Sequence, residues 1–259
     1  MKNSYILLLL ITGISFFYNC GDDGFSVSDP DKAVIQGYLF PGHTAEITIN
    51  RQQILASEDT TMDLPLSGLS VTLSNQTTGK SEVLKDNGAG SYSSEMIIED
   101  EGSYKIEFDY NNNHVWATTS IPTKVSGFKT DATELLHTER FSDDTVRYVN
   151  YYWDNEEESY HLFYIYNMES WTTPIYNFTP SKSITTTPTA DTAYQVNSRG
   201  FYYYGRHYMI LYKVTDEYVD LYYSSNGNSQ HMTNPPTNVN NGFGIFTAMS
   251  SDTLVLTLR

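Results

Sequence analysis

The chain has almost no cysteine, since Cys20 is the only one among 259 residues. Once Cys20 is consumed by the acylation argued below, no thiol remains for a disulfide or a thiolate metal site. Positive charge is also scarce: 15 Lys and Arg stand against 31 Asp and Glu, a formal net charge of −16. Repulsion from phosphate therefore argues against nucleic acid as a partner, and against anionic membrane surfaces as electrostatic partners.

Long apolar runs are missing except near the N terminus. Residues 1–19 carry the positive Lys2 and then an apolar stretch that polar residues interrupt before it reaches the roughly 20 residues of a membrane span. The pattern predicts a lipoprotein signal peptide, cleaved before an acylated Cys20. Phe17-Tyr18-Asn19 lacks the small residues usual before a lipidated cysteine. A secreted protein with a spare buried cysteine is therefore the alternative.

Residues 20–32 are predicted to form an acylated tether to the membrane. Gly21-Asp22-Asp23-Gly24 is too polar and too rich in glycine to continue a helix. Asp22 and Asp23 resemble the acidic export signal of surface-exposed lipoproteins of Bacteroidota, and a solvated linker is an equally good interpretation. With an export signal, we expect a lipid-anchored protein of the outer membrane that faces the cell exterior.

Residues 33–122 show the period of two that is typical of half-buried strands. Leu69, Val71 and Leu73 alternate with polar residues, and so do the apolar residues from Tyr104 to Tyr110. Short strands separated by turn signals predict a sandwich of two sheets. The fold class is therefore all-β, with one short helix further along the chain.

Residues 123–259 are predicted to form a second, aromatic-rich β domain. Both faces of the run Tyr160–Tyr166 are apolar or aromatic, which favours a strand covered on both sides over a strand with exposed rings. The segment Trp171–Asn197 has few core residues and is predicted to be irregular and mobile. Thr215 and the acidic residues after it predict a helix near 215–226.

Two sets of side chains are candidates for binding or modification. The first set offers flat rings for stacking on a sugar or peptide, although core packing explains most of them equally well: Trp153, Trp171, Tyr202, Tyr203 and Tyr204. The second set lies in Asp-Thr-x sequences that are similar to the O-glycosylation sequence of Bacteroidota: Thr60, Thr145 and Thr192.

A search for catalytic and metal motifs gives little. No Gly-x-Ser-x-Gly and no His-Glu-x-x-His occurs, and Gly242-Phe-Gly244 lacks the third glycine of a dinucleotide loop. Asp143-Asp144 and Glu156–Glu158 lack EF-hand spacing. We therefore expect no catalytic residue, no metal and no cofactor. A pair of carboxylates for glycoside hydrolysis needs only proximity in space and remains a lower-ranked alternative.

One segment near the C terminus carries a resemblance to a known family. The stretch from Asn234 through Gly242-Phe-Gly244 to Ala248 and the strand after it resemble the closing motif of Bacteroidota lipoproteins known as domain of unknown function 4249. Further landmarks agree with it: Val34-Ile-Gln-Gly-Tyr, Gly68-Leu-Ser-Val-Thr-Leu, Gly90-Ser-Tyr and Tyr152-Trp-Asp-Asn-Glu-Glu-Glu-Ser-Tyr. The resemblance implies an outer-membrane lipoprotein with an immunoglobulin-like first domain, a companion of TonB-dependent transporters. It supplies no catalytic residues.

Two hypotheses for function follow from these observations. In the first, the protein is a noncatalytic accessory subunit that helps a TonB-dependent outer-membrane transporter to capture a nutrient. In the second, it is a freestanding surface protein or adhesin that binds a glycan or peptide through exposed rings.

Overall fold

The structure is a computed structural model that describes residues 31–52, 64–138, 145–176, 181–225 and 236–259. The predictions for the signal peptide, Cys20, Asp22, Asp23 and Thr60 lie outside the described residues. Within the described ranges, no helix is long and apolar enough to cross a membrane.

The first half of the chain forms eight strands, most of them from alternating apolar and polar residues. In β7, for example, Tyr104, Ile106 and Phe108 are buried, and they alternate with the partly exposed Lys105 and Glu107. The strands are β1 (Ala33–Leu39), β2 (Thr44–Arg51), β3 (Thr72–Asn75), β4 (Ser81–Val83), β5 (Lys85–Gly88), β6 (Ser91–Ile97), β7 (Ser103–Tyr110) and β8 (Asn113–Ser120).

The order of these strands is that of an immunoglobulin domain. One side has the order β1-β2-β6-β5, and the facing sheet has β4-β3-β7-β8. When β1 to β8 are named A, B, C, C′, D, E, F and G, this is an A-B-E-D sheet that faces a C′-C-F-G sheet. The predicted immunoglobulin-like sandwich is therefore confirmed, and its core includes the fully buried Ile35, Ile47, Leu73 and Ile106.

The second half adds nine strands and one helix. Its elements are β9 (Lys129–Thr130), β10 (Glu134–Leu135), β11 (Tyr148–Tyr152), β12 (His161–Asn167), β13 (Ser183–Thr185), β14 (Ala193–Asn197), β15 (Gly205–Val214), α1 (Asp216–Ser225), β16 (Val239–Asn240) and β17 (Phe243–Leu258). The carbonyl of Thr215 accepts the hydrogen bond of Val219 at the start of α1, while the Thr215 hydroxyl pairs with Thr247. The all-β class with one short helix is confirmed.

The prediction that Trp171–Asn197 is irregular was wrong for part of that segment. It contains β13, which pairs with β12, and β14, which pairs with β11. Ile184 and Val196 supply the apolar side chains that join these short strands to the second core. The surrounding threonines and prolines give this segment only a weak strand pattern. The two strands form because β12 and β11 offer partners for pairing.

Strand β17 belongs to both halves of the molecule. Its 16 residues pair with β1 in parallel from Phe243 to Ala248, and with β15 in antiparallel from Met249 to Leu258. Phe246 and Ala248 enter the immunoglobulin-like core, while Leu256 and Leu258 enter the second core. These are all even-numbered positions of one strand, so both cores lie on the same face of the sheet.

The result is one long sheet that carries two smaller sheets on one face. The long sheet has the order β13-β12-β15-β17-β1-β2-β6-β5, and the smaller sheets are β14-β11-β9 and β16-β8-β7-β3-β4. Residues Asp31–Arg259 cluster as one compact unit. The division into domains 33–122 and 123–259 stays a prediction, and β17 contributes to the cores of both segments.

Candidate functional site

The outer face of the long sheet, opposite the two smaller sheets, is rich in aromatic rings where β12, β15 and β17 lie side by side. In β12, Phe163 and Ile165 point into the second core, so Tyr164 and Tyr166 point outward. We call the outward apolar and aromatic residues of these three strands the aromatic platform: Tyr164, Tyr166, Tyr208, Ile210, Tyr212 and Val255.

Strand register aligns the platform in rows. One row runs across four strands as Ser183, Tyr166, Tyr208 and Val255. Tyr166, Tyr208 and Val255 are 37%, 38% and 41% exposed. Directly opposite residues in adjacent strands have Cβ atoms about 4.5–5.5 Å apart, so these side chains form one continuous surface.

The rings of the platform hold one another in place. Tyr164 and Tyr166 stack with their centroids 6.4 Å apart and their planes 9° apart. Tyr164 meets Tyr212 edge-on at 6.4 Å, and Tyr212 meets Phe40 edge-on at 6.1 Å. Burial raises the pKa of the Tyr212 hydroxyl, so this group stays protonated and can donate a hydrogen bond.

Helix α1 covers only one end of the outer face. Val219 of α1 packs with Leu162, Val214 and Met249 in a third, small core. Coverage of β12 on both faces, which the sequence favours, therefore holds at Leu162 and fails at Tyr166. Beyond α1, Tyr166 and Tyr208 face solvent, whereas Tyr164 and Tyr212 are half-buried against the third core.

A groove of about 860 Å³ adjoins the platform at the edge of β17. It opens where β1 stops at Leu39, opposite Ala248, while β17 continues. Its walls include Tyr38 and Phe40 of the first half, Tyr212 of the platform and the polar Lys124, Ser251 and Asp252. The groove and the platform share Tyr212, so a chain-like ligand on one surface can reach the other.

The segment that links the two halves is fixed by a buried lysine. Nζ of Lys213 donates to Thr123 Oγ1 at 2.6 Å and to Glu157 Oε2 at 2.6 Å, and Ser250 Oγ donates to the Thr123 carbonyl at 2.8 Å. Hydrogen bonding and attraction from Lys213 lower the pKa of the Glu157 carboxyl. This contact ties β15 to the linker and gives Glu157 a structural partner.

Two buried histidines occupy the second half. Burial lowers the pKa of His161 to about 4 and that of His207 to about 4, so both rings are neutral at pH 7. His161 Nδ1 lies 3.1 Å from the Ser159 carbonyl, and His207 Nε2 lies 3.2 Å from the Asn167 side-chain nitrogen. Among the described residues, no three His, Cys, Asp or Glu side chains are grouped so as to hold a metal ion.

The five rings predicted for ligand stacking do not share one surface. Trp153 and Tyr203 are each 4% exposed and belong to the interior, so protein covers their faces and the stacking role predicted for them is wrong. Tyr204 lies edge-on to His137, and Tyr202 lies edge-on to Tyr176. The fifth ring, Trp171, is 92% exposed and remains a candidate.

The predictions missed the platform, although its signal was present in the sequence. Tyr164 and Tyr166 stand two residues apart, as do Tyr208, Ile210 and Tyr212. That spacing places each set on one face of a strand. The same pattern suits a covered face, so only the position at which α1 ends reveals that the rings are open to solvent.

Two candidate glycosylation sites fall within the described residues. Thr145 and Thr192 are both exposed. The Thr192 carbonyl accepts the backbone N–H of Trp153 at 3.0 Å, which fixes the main chain at that site. O-glycosylation at these threonines stays a prediction.

The closing segment that carries the family resemblance has a structural role. The Asn238 side chain pairs with both backbone groups of Phe246, at 2.6 and 3.0 Å, and Asn241 Nδ2 donates to the His114 carbonyl at 2.8 Å. Gly244 has φ +94°, and a Cβ there would lie 1.9 Å from the Ile35 carbonyl oxygen. Glycine therefore permits β17 to approach β1, and Phe243 and Gly244 lie in the regular parallel pairing of the two strands.

Comparisons with known proteins give one family and distant solved structures. The sequence profile described as Domain of unknown function (DUF4249) matches residues 21–254. The teleost fish polymeric Ig receptor ectodomain is 12% identical with a TM-score of 0.24, and the match covers 69% of this chain and 91% of that one. Titin Ig tandem domains A164-A165 are 8% identical with a TM-score of 0.22, covering 88% and 96%. No curated protein matches the chain.

Proposed function

We propose a function from the premise that this chain belongs to the family described as Domain of unknown function (DUF4249). The protein is a noncatalytic lipoprotein, anchored through Cys20 in the outer membrane and facing the cell exterior. It acts as an accessory nutrient-capture subunit of a TonB-dependent transporter. Cys20 and the acidic residues after it support the anchor and the export, and the family resemblance supports the partner.

The observation that carries the proposal is the distance between the start of the body and the aromatic platform. Asp31 is held beside the β7–β8 turn, where Tyr110 donates to its carboxylate at 2.8 Å and Arg51 pairs with it at 2.6 Å. Strand β1 then runs parallel to β17, with Val34 opposite Phe243. Val255 lies twelve residues further along β17, which is roughly 40 Å at 3.3 Å per residue.

In an anchored protein, the exposed rings would lie roughly 40 Å along β17 from the point at which the described body begins. The chain from Cys20 to Asp31 could span at most about 40 Å when fully extended. The net charge of −16 gives the body no attraction to anionic lipid headgroups. An acyl anchor and an acidic body together favour a role beside a neighbouring membrane protein, with the exposed rings available to ligands.

Purification of the full-length protein from membranes in mild detergent tests this proposal. We expect acyl chains on Cys20 by intact-mass spectrometry and a stoichiometric β-barrel partner in the same particle. The matched variant Cys20→Ala should leave the membrane fraction, because the acyl chains supply the binding energy. An unmodified polypeptide in the culture medium, or an acylated protein that purifies alone, would contradict the proposal.

The exposed platform favours a second candidate function, that of a freestanding glycan- or peptide-binding surface protein or adhesin. Tyrosine rings that stay open on a finished sheet suit ligand stacking without any transporter. Retention of the purified protein on a polysaccharide column, together with the absence of a barrel partner, would favour this candidate over the first.

A further inference from the structure

The aromatic platform combines flat rings with hydroxyl groups at its borders. The row Ser183, Tyr166, Tyr208 and Val255 begins with a hydroxyl and continues with two rings. In the next row Thr185 and Thr253 flank Tyr164 and Ile210. Rings in the middle and hydroxyls on the flanks suit a ligand that has apolar faces and polar edges.

We propose that this platform binds an uncharged oligosaccharide chain. The C–H faces of the sugar rings would lie on the rings of Tyr166, Tyr208 and Tyr164, and the sugar hydroxyls would meet the threonine, serine and tyrosine hydroxyls around them. The inference deepens the proposed function by naming the class of nutrient, and it rests on that function only for its biological role.

The charge distribution selects a neutral ligand. In the rows of Tyr164 and Tyr166, no outward residue of the four strands carries a formal charge, although the whole chain has a net charge of −16. The nearest pair, Arg206 and Glu169 at the end of β15, neutralises itself with an N–O distance of 3.1 Å. A charged sugar or peptide would lose hydration over these rings and find no counter-charge within the two rows.

The hydroxyls distinguish a sugar from an apolar partner. A lipid chain or an apolar protein segment would cover the tyrosine rings, but it would also cut off the hydroxyls of Thr185 and Thr253 from water without giving them a hydrogen-bond partner. A sugar chain supplies donors and acceptors at its edges and apolar faces at its centre. An uncharged glycan is therefore the occupant that satisfies both kinds of group.

The platform is preorganised and long enough for more than one sugar ring. Its rows are about 6.6 Å apart along the strands, since successive outward residues are two positions apart. The stacking of Tyr164 on Tyr166 and the edge contact of Tyr164 with Tyr212 fix the rings before any ligand arrives, so little side-chain freedom is lost on binding. Tyr212 then leads into the groove, which extends the surface in one direction.

Calorimetric titration of the full-length protein in detergent tests the proposal. The probes are three neutral hexasaccharides (maltohexaose, cellohexaose and mannohexaose) and one charged hexasaccharide, hexagalacturonate. We expect binding of at least one neutral probe and none of the charged one. Tyr166→Ser and Tyr208→Ser should each weaken binding roughly five- to tenfold, because each removes one stacking ring.

Matched variants separate stacking from general damage. Tyr148→Ser and Tyr152→Ser remove rings that are 52% and 41% exposed on β11, in a different sheet, and binding should change by less than about twofold. Tyr208→Phe keeps the ring and should keep most of the affinity. Equal binding by the wild type and the double variant Tyr166→Ser/Tyr208→Ser would overturn the proposal, as would tighter binding of hexagalacturonate or no binding of any neutral probe.

The same variants keep this inference distinct from the proposed function. The double variant should still purify with the barrel partner, because the platform is assigned to the glycan and not to the transporter. A wild type that binds a neutral probe but purifies without the barrel partner would defeat the accessory role alone. A wild type that purifies with the partner but binds none of the neutral probes would defeat this inference alone.

Discussion

The long sheet presents two different surfaces on the same outer face. Over the immunoglobulin-like half, one cross-strand row consists of Gln36, Thr48 and Ser91, all polar. Over the second half, the equivalent row contains Tyr166, Tyr208 and Val255. Both rows belong to one sheet, and both halves have a packed core behind that sheet.

The difference shows that the fold does not require aromatic residues on its outer face. At that row the first half closes its core with a polar exterior, as is usual for a sheet with one wet side, and its outward ring Tyr38 lies apart, against the third core. The exposed Tyr166 and Tyr208 of the second half therefore exceed what the sandwich needs. Since exposed apolar area favours association with other molecules, we assign those rings to binding rather than to stability.

The largest expected effect separates the two faces of β12. Phe163→Ala should lower the free energy of unfolding by about 3–5 kcal/mol, because the ring is buried within 5.1 Å of Tyr151 and of Tyr194, centroid to centroid. Tyr166→Ala, on the same strand but on the outer face, should cost about 1 kcal/mol or less. Urea unfolding measures both. Equal losses would mean that the outer face is part of the core.

The next effect tests how the two halves are joined. Gly244→Ala should cost about 3 kcal/mol, because φ is +94° and the new Cβ would clash with the Ile35 carbonyl across the β1–β17 pairing. Gly42→Ala is the matched control, with φ +79° and no atom within 4 Å of its Cβ, and should cost about 1 kcal/mol. Urea midpoints give both values, and a Gly244→Ala loss no larger than that of Gly42→Ala would contradict the tight approach.

Lowering the pH should destabilise the second half more than the first, because the second half contains the two buried histidines. The pKa of His161 and of His207 is about 4 in the folded protein against about 6.5 when unfolded, so the unfolded chain takes up protons first as the pH falls from 6.5 to 4. Each histidine should then lower the free energy of unfolding by roughly 2–3 kcal/mol near pH 4. In the immunoglobulin-like half, the described histidines, His43 and His114, are exposed.

Hydrogen exchange at pH 7 and pH 4.5 measures this difference. The second half should lose protection before the first, and the variant His161→Gln/His207→Gln should show a flatter dependence on pH. Earlier loss of protection in β1 to β8 would show that other groups control the response to acid.

The smallest effect comes from exchanging residues between the two outer surfaces. Tyr208→Thr and Thr48→Tyr should each change the free energy of unfolding by less than about 1 kcal/mol, because both side chains stand on the outer face of the sheet. Thermal denaturation of the two variants beside the wild type checks this. A loss of several kcal/mol in Tyr208→Thr alone would show that the ring supports the fold.

Strands with clear alternation could be predicted from the sequence, and strands without apolar residues could not. Alternation placed β7 and the end of β17 correctly, and Asp216 with Glu217 marked the start of α1. Asp86-Asn87-Gly88 has the composition of a turn, yet it lies in β5, paired to β6 through a bulge. All four residues of β5 are exposed, so only the neighbouring strand makes that segment a strand.

The site was harder to predict because composition does not report which side of a sheet is covered. Trp153 and Tyr166 both lie in aromatic runs, but Trp153 enters the second core and Tyr166 faces solvent. The solvent exposure of each ring depends on where the β14-β11-β9 sheet and α1 pack on the long sheet. Those positions follow from long-range pairing. A period of two shows which tyrosines share one face of a strand, but it does not show whether that face is covered.

The position of β17 in chain order has a consequence for when the chain can fold. This strand comes after every other described element, yet both hydrophobic cores need its side chains to close. Until β17 has been synthesised, β1 and β15 each lack one partner strand and expose an edge that is open to aggregation. Folding therefore has to wait for β17, and products truncated before Phe243 would be substrates for cellular proteases.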